Sequence, residues 1–190
     1  MRLDDVVKKI KGPKGTEVRL TVKKTDGSIK VITIIRDEVE IEETYVKSSV
    51  VEKDGFKYGI IYLPKFYIDF EDQNSRDAGK DVAIEVERLK AEGVQGIVMD
   101  VRDNGGGYLE IANKIADEIL KDKELIVKTK NKKEKIDETF ATSKGDFEKG
   151  KVSILINENS ASASEILAGA VQDNDRGIIV GRRSFGKGLV

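Results

Sequence analysis

Three short apolar runs constrain the fold more than any other feature. Ile97-Val98-Met99-Asp100-Val101, Val152-Ser153-Ile154-Leu155-Ile156 and Ile178-Ile179-Val180 are too short for helices and too continuously apolar for strands with one wet face. Each is read as a buried strand. Stretches with helical spacing separate them. One runs from about 74 to 92, with Val82, Ile84, Val86 and Leu89 on its apolar side and Gly93 as its stop. A second carries Leu109, Ile111, Ile115, Ile119 and Leu120, and a third runs from about 162 to 172. Strands divided by helices need crossover connections, so the pattern predicts an α/β fold with an at least partly parallel sheet. Strands at about 45–52 and 56–63, turned by Asp54-Gly55, precede this pattern. A strand at about 124–129 and a polar, charged excursion from 130 to 150 interrupt it.

The first 38 residues read differently. Leu3, Val6, Val7 and Ile10 have helical spacing, stopped by Gly12-Pro13-Lys14-Gly15, and Thr16 to Lys23 and Ile29 to Arg36 form a hairpin across Lys24 to Ser28. A helix and a hairpin bury too little to stand as a domain, so this segment is expected to be the back end of something larger. The 190 residues suit one domain plus part of another.

Composition removes several functions. Thirty-four basic and 35 acidic residues leave a net charge of -1, which provides no field for nucleic acid or anionic lipid. The run Lys128-Thr129-Lys130-Asn131-Lys132-Lys133 is a solvated hairpin tip. No apolar run approaches the roughly 20 residues that span a bilayer. Met1-Arg2-Leu3-Asp4-Asp5 does not begin like a signal sequence. The chain has no Cys and no His, which excludes a thiol nucleophile, a thiolate zinc site and a Ser-His-Asp triad. If a hydroxyl acts as nucleophile here, its base is a lysine or a carboxylate.

Three segments can carry chemistry. Asn159-Ser160-Ala161-Ser162-Ala163-Ser164-Glu165 lies between a buried strand and a helix, where a hydroxyl meets unpaired helix N–H groups. Ser162 to Glu165 also fits the S-x-x-E capping box, and on this segment alone capping is the simpler reading. In Arg182-Arg183-Ser184-Phe185-Gly186-Lys187-Gly188 a lysine stands between glycines, either delivered into a site without bulky neighbours or exposed in a turn. Gly181 to Lys187 also imitates a phosphate-binding loop, but Gly188 stands where Ser or Thr would hold magnesium. In Asp100-Val101-Arg102-Asp103-Asn104-Gly105-Gly106-Gly107, three glycines before a helix can offer amides to an anion or simply make a tight turn. Asp100 and Asp103 have no His or wider acidic cluster beside them, so neither a metal nor another cofactor is expected.

In combination these segments resemble one family. D-x-R-x-N-G-G-G after a strand, then S-A-S-A-S-E, then F-G-K-G with its lysine twenty-five residues beyond Ser162, is the order and spacing of the tail-specific (C-terminal processing) serine proteases. The resemblance covers most of the chain, and Leu3 to Arg36 looks like the C-terminal half of that family's PDZ domain. It implies a crotonase-like α/β protease core over residues 39–190, with a partial PDZ domain, helix plus β-hairpin, over 1–38. By the same resemblance Ser162 is the nucleophile and Lys187 the base of a serine endopeptidase. The N–H groups of Ala163 and Gly106, with Gly105 as the alternative, would form the oxyanion hole. Its partners would be polypeptides with free C-termini, presented by the PDZ domain, and its setting the bacterial cell envelope, periplasmic or secreted. The family places a glutamine four residues after the lysine, one beyond Val190, and opens its PDZ domain with a carboxylate-binding loop not found here. The chain is therefore expected to be a piece shortened at both ends. A noncatalytic peptide-binding or inactive form of the fold is the alternative reading, with a phosphate-binding protein a remote second.

Overall fold

The structure, a computed structural model, describes residues 3–37, 44–68, 76–142, 145, 147 and 149–189. The expected boundary at 38–39 and the first residues of the helix expected from 74 lie outside the described residues. The chain divides into two compact units, Met1–Ile41 and Glu42–Val190.

In the first unit α1 spans Leu3–Ile10, and β1 (Glu17–Lys23) pairs antiparallel with β2 (Ile29–Ile35), with Glu17 opposite Ile35. The hairpin turns where the Asp26 carboxylate accepts both the N–H and the hydroxyl of Ser28. Arg36 binds the helix end to the hairpin by donating to the Ile10 carbonyl (2.8 Å), Thr16 Oγ1 (2.8 Å) and the Glu17 carbonyl (3.0 Å). One guanidinium thus satisfies acceptors that a two-stranded sheet leaves open.

The second unit holds a five-stranded sheet in the order β3-β4-β5-β8-β9. Its strands are β3 (Lys47–Lys53), β4 (Phe56–Tyr62), β5 (Gly96–Asp100), β8 (Lys151–Ile156) and β9 (Ile178–Gly181). The β3–β4 pair is antiparallel, turned at Asp54-Gly55 with both residues at positive φ, as a two-residue hairpin turn requires. From β4 onward every pair is parallel. The crossovers carry α2 (Ala78–Ala91), α3 (Leu109–Asp117) and α4 (Ala163–Asp173). The fold is therefore mixed α/β around a central mixed sheet. Ile61, Met99 and Ile154 from the sheet and Val82, Leu89, Ile115 and Leu167 from the helices share one buried core.

Several expectations change. The third apolar run forms β9 but is not buried: Ile178 is 64 % and Val180 45 % exposed, because β9 is the last strand in the sheet order and, among the described residues, pairs there only with β8. Ile84 is 61 % exposed: Val82, Val86 and Leu89, at steps of four and three, define the buried face of α2, and a residue two beyond Val82 falls on the opposite side. The polar excursion from 130 to 150 contains a strand, β7 (Ile136–Phe140), which pairs antiparallel with β6 (Leu125–Lys130). It escapes sequence reading because the hairpin is largely exposed and held by cross-strand charges such as Lys128 to Glu138 (2.7 Å). Ile119 and Leu120 are buried as expected but lie just past the end of α3.

Candidate active site

Parallel neighbours end on the same side of a sheet, and this brings three distant segments together. Asp100, the last residue of β5, sits opposite Leu155 of β8, while Ile156 of β8 sits opposite Gly181 of β9. The glycine run, the serine turn and the lysine loop each leave the C-terminal end of one of these strands. That end is where α/β sheets commonly bind ligands.

The serine turn is tight and bonded into the core on both sides of Ser162. Ser160 is buried, with its hydroxyl donating to the Val101 carbonyl (2.7 Å) and accepting the Asn157 N–H (2.9 Å). Ser162 has φ 58° and ψ −114°, a strained conformation for a residue with a Cβ, immediately before α4. Such a strand-to-helix elbow lifts a side chain off the backbone. Ser162 and Glu165 face each other as in a capping box. The bonds formed are Ser162 N–H to Glu165 Oε2 (2.8 Å) and Glu165 N–H to the Ser162 carbonyl (2.9 Å). Among the described residues the Ser162 hydroxyl makes no capping bond. Ala163 holds the first position of α4, where a backbone N–H has no partner within the helix.

The glycine run lies directly against this turn. A Cβ on Gly106 (φ +101°) would stand 2.8 Å from Ser162 Cβ and 3.1 Å from the Ala163 nitrogen, so only glycine permits the approach. Phe66 buttresses the run from behind, donating its N–H to the Gly106 carbonyl (3.2 Å) and accepting the Tyr108 N–H (3.0 Å). Gly106 is buried and its N–H donates to Asn104 Oδ1 (2.8 Å), whereas Gly105 is exposed.

The lysine loop is tied to the serine turn by one carboxylate. Glu165 accepts the Ser184 hydroxyl (2.7 Å), the Gly186 N–H (2.6 Å) and the Lys187 N–H (2.9 Å), in addition to the Ser162 N–H. Partial burial alone would raise the Glu165 carboxyl, but these donors outweigh it and hold it below the usual carboxylate range. Phe185 N–H adds a bond to the Ser160 carbonyl (3.0 Å). Sequence reading gave Glu165 only the role of a cap. Its reach to a loop twenty-one residues away depends on the pairing of β8 with β9.

Ser162 and Lys187 line one open cleft of about 690 Å³. Leu109, Val127 and Ile166 supply apolar walls, and Lys128 to Lys130 of β6 with Asn131 just beyond it form a rim. Lys187 and Phe185 are exposed. A hydroxyl at a helix N-terminus, a lysine in the same cleft and a glycine-lined wall can attack and stabilise an acyl centre. The carboxylates weighed as metal ligands are engaged otherwise. Burial would raise Asp100, but its two-pronged bond to Arg102 (2.9 and 2.6 Å) keeps it low; Asn159 and Asn157 hold Asp103 low.

The model of peptidase family S41 matches residues 57–190. The chain is 37% identical over 193 residues to a tail-specific protease of Haemophilus influenzae, covering 100% of this chain and 26% of that protein. It is 36% identical over 190 residues to a carboxyl-terminal-processing protease of Picosynechococcus, covering 99% of this chain and 43% of that one. The chain thus spans less than half the length of these curated relatives. Among solved structures, the photosystem II D1 C-terminal processing protease superposes with a TM-score of 0.65 at 26% identity, over 94% of this chain and 47% of that one. These likenesses lend no support to the phosphate-binding reading of Gly181 to Lys187.

Proposed function

This chain belongs to peptidase family S41, and on that premise we propose that it carries the catalytic centre of a serine endopeptidase that cleaves polypeptides near their C-termini. Ser162 is the nucleophile and Lys187 the general base. The observation that carries the reading is that both side chains line one cleft at the ends of adjacent strands.

Neutral Lys187 takes the Ser162 hydroxyl proton as Oγ bonds to the scissile carbonyl carbon. The carbon–nitrogen bond then breaks, the proton passes to the leaving amine, and water hydrolyses the acyl-enzyme. The Ala163 N–H meets the developing oxyanion. Gly106 N–H is already donated to Asn104, so the exposed Gly105 amide is the better second donor, and Gly106 serves only by leaving Asn104. A substrate strand laid over Leu109, Val127 and Ile166 would exclude water from the cleft and favour the neutral amine.

The wider reading places a crotonase-like core over residues 39–190 and the rear of a PDZ domain over 1–38, which would present a free polypeptide C-terminus. It also places the protein in the bacterial envelope, periplasmic or secreted. The exposure of Lys187 and Phe185 favours a second reading, in which these 190 residues keep the fold but do not turn over substrate. Peptide cleavage by the full-length protein tests the first. Ser162→Ala and Lys187→Ala each lower kcat by at least about a thousandfold, and Lys187→Arg does the same because a guanidinium stays protonated. Near-normal turnover by Lys187→Arg would move the search for a base to the carboxylates. Labelling of the 190-residue chain by a fluorophosphonate separates the two readings.

A further inference from the structure

Between the serine turn and the glycine run lies one polar side chain with no role so far. Asn104 is fully buried, at 0% exposure. Its Nδ2 donates to the Leu63 carbonyl just past β4 (2.8 Å), and its Oδ1 accepts the Gly106 N–H (2.8 Å). Its backbone carbonyl accepts both the Ala161 N–H (3.1 Å) and the Ser164 hydroxyl (2.8 Å), and its own N–H donates to Val101 (3.3 Å). The residues held by that carbonyl bracket Ser162.

We propose that Asn104 is a positioning residue that sets the glycine run against the nucleophile turn; this rests on the reading of Ser162 as nucleophile. The side chain must donate at one end and accept at the other, which only an amide of this length does here. A carboxylate would set an acceptor against the Leu63 carbonyl and bury an unpaired charge. A leucine would orphan both the Leu63 carbonyl and the Gly106 N–H. Leucine removes the bond that fixes the Gly106 peptide plane, and a carboxylate, repelled by the Leu63 carbonyl, carries its Gly106 acceptor out of place. Either way the glycine run, close enough that a Gly106 Cβ would stand 2.8 Å from Ser162 Cβ, no longer keeps a set distance from Ser162. A spacer between nucleophile and oxyanion donors acts on the transition state and leaves ground-state binding to the cleft walls.

The expected result for Asn104→Asp and Asn104→Leu in the full-length protein is a kcat about 100-fold lower with KM changed less than about threefold, and a parallel fall in the rate of Ser162 labelling by a fluorophosphonate. A residue needed only for folding would lower the active fraction and leave the labelling rate of the folded remainder unchanged, and that outcome overturns the proposal. Cleavage retained by Ser162→Ala would defeat the nucleophile reading and the proposal with it. Cleavage lost in Ser162→Ala but kept within about threefold in folded Asn104 variants would defeat positioning alone. If neither Asn104 variant folds, Ser164→Ala removes one buried donor to the same carbonyl. A kcat about fivefold lower at constant KM supports the role, and an unchanged kcat overturns it.

Discussion

The serine turn and the lysine loop leave neighbouring strands, yet they are held in opposite ways. Around Ser162 the structure is built into the core: Ser160, Ser164 and Asn104 are buried, the two hydroxyls donate to carbonyls of the segment after β5, and the Asn104 amide donates to Leu63 just past β4. The loop that brings Lys187 is exposed, and three of its bonds to the serine turn end on the single carboxylate of Glu165. The contrast teaches that the nucleophile's geometry is inseparable from folding, whereas the placement of the lysine can change at little cost to stability.

Gly107 offers the most damaging way to break the core-built half. A Cβ there would stand 2.2 Å from the Phe66 carbonyl oxygen, at φ +152°. Gly107→Ala should destabilise the protein by about 2–4 kcal/mol and abolish cleavage together. Denaturant unfolding measures it, and a midpoint unchanged from the parent would show that the glycine run is not locked to Phe66. Glu165→Gln sharpens the other half. It keeps the shape but turns one of two acceptor oxygens into an NH2 that cannot accept, so part of the tether is lost and the rest loses its charge. The kcat should fall about 10- to 100-fold, while stability changes by no more than about 1–2 kcal/mol because the loop is exposed. Equal losses in rate and stability would erase the distinction between the two regions.

The same carboxylate sets a pH window. Its folded pKa lies below the ordinary value, so its contribution is fully present above the unfolded pKa near 4.5 and is lost as pH falls through the lower folded value. The amide shifts of Gly186 and Lys187 should therefore stay constant as pH falls from about 7 to the ordinary carboxylate value and move only below it. A midpoint at or above the ordinary carboxylate value would mean the tether is not formed in solution. The smallest effect belongs to Ile84, which touches neither region. Ile84→Ser should change stability by no more than about 0.5 kcal/mol, against about 1–3 for Val86→Ala on the buried face of the same helix.

The readable parts of the chain were those whose cause is local. The apolar runs of β5 and β8 and the Asp54-Gly55 turn announce themselves because strand burial and turn geometry act over a few residues, whereas β9 is found where its run predicts a strand but lies exposed at the end of the sheet order. Ile84 misled because a helical stretch dense in aliphatic residues offers two faces, and only the neighbours decide which one is covered. Strand β7 was illegible because its stability comes from charges across the hairpin, a pattern that in sequence looks like a solvated loop.

The site divides along the same line. By itself the sequence determined which residue types were available: no thiol or imidazole, a hydroxyl before a helix, a lysine between glycines, and a glycine run after a buried strand. Only the tertiary structure decided that these three segments leave the same, C-terminal end of the sheet. It also decided that Asn104 holds Gly106, and that Glu165 reaches beyond its own cap to the lysine loop. The physical reason is that parallel pairing sets where strands end relative to one another, and hydrogen bonds between those ends join residues that no spacing along the chain brings together.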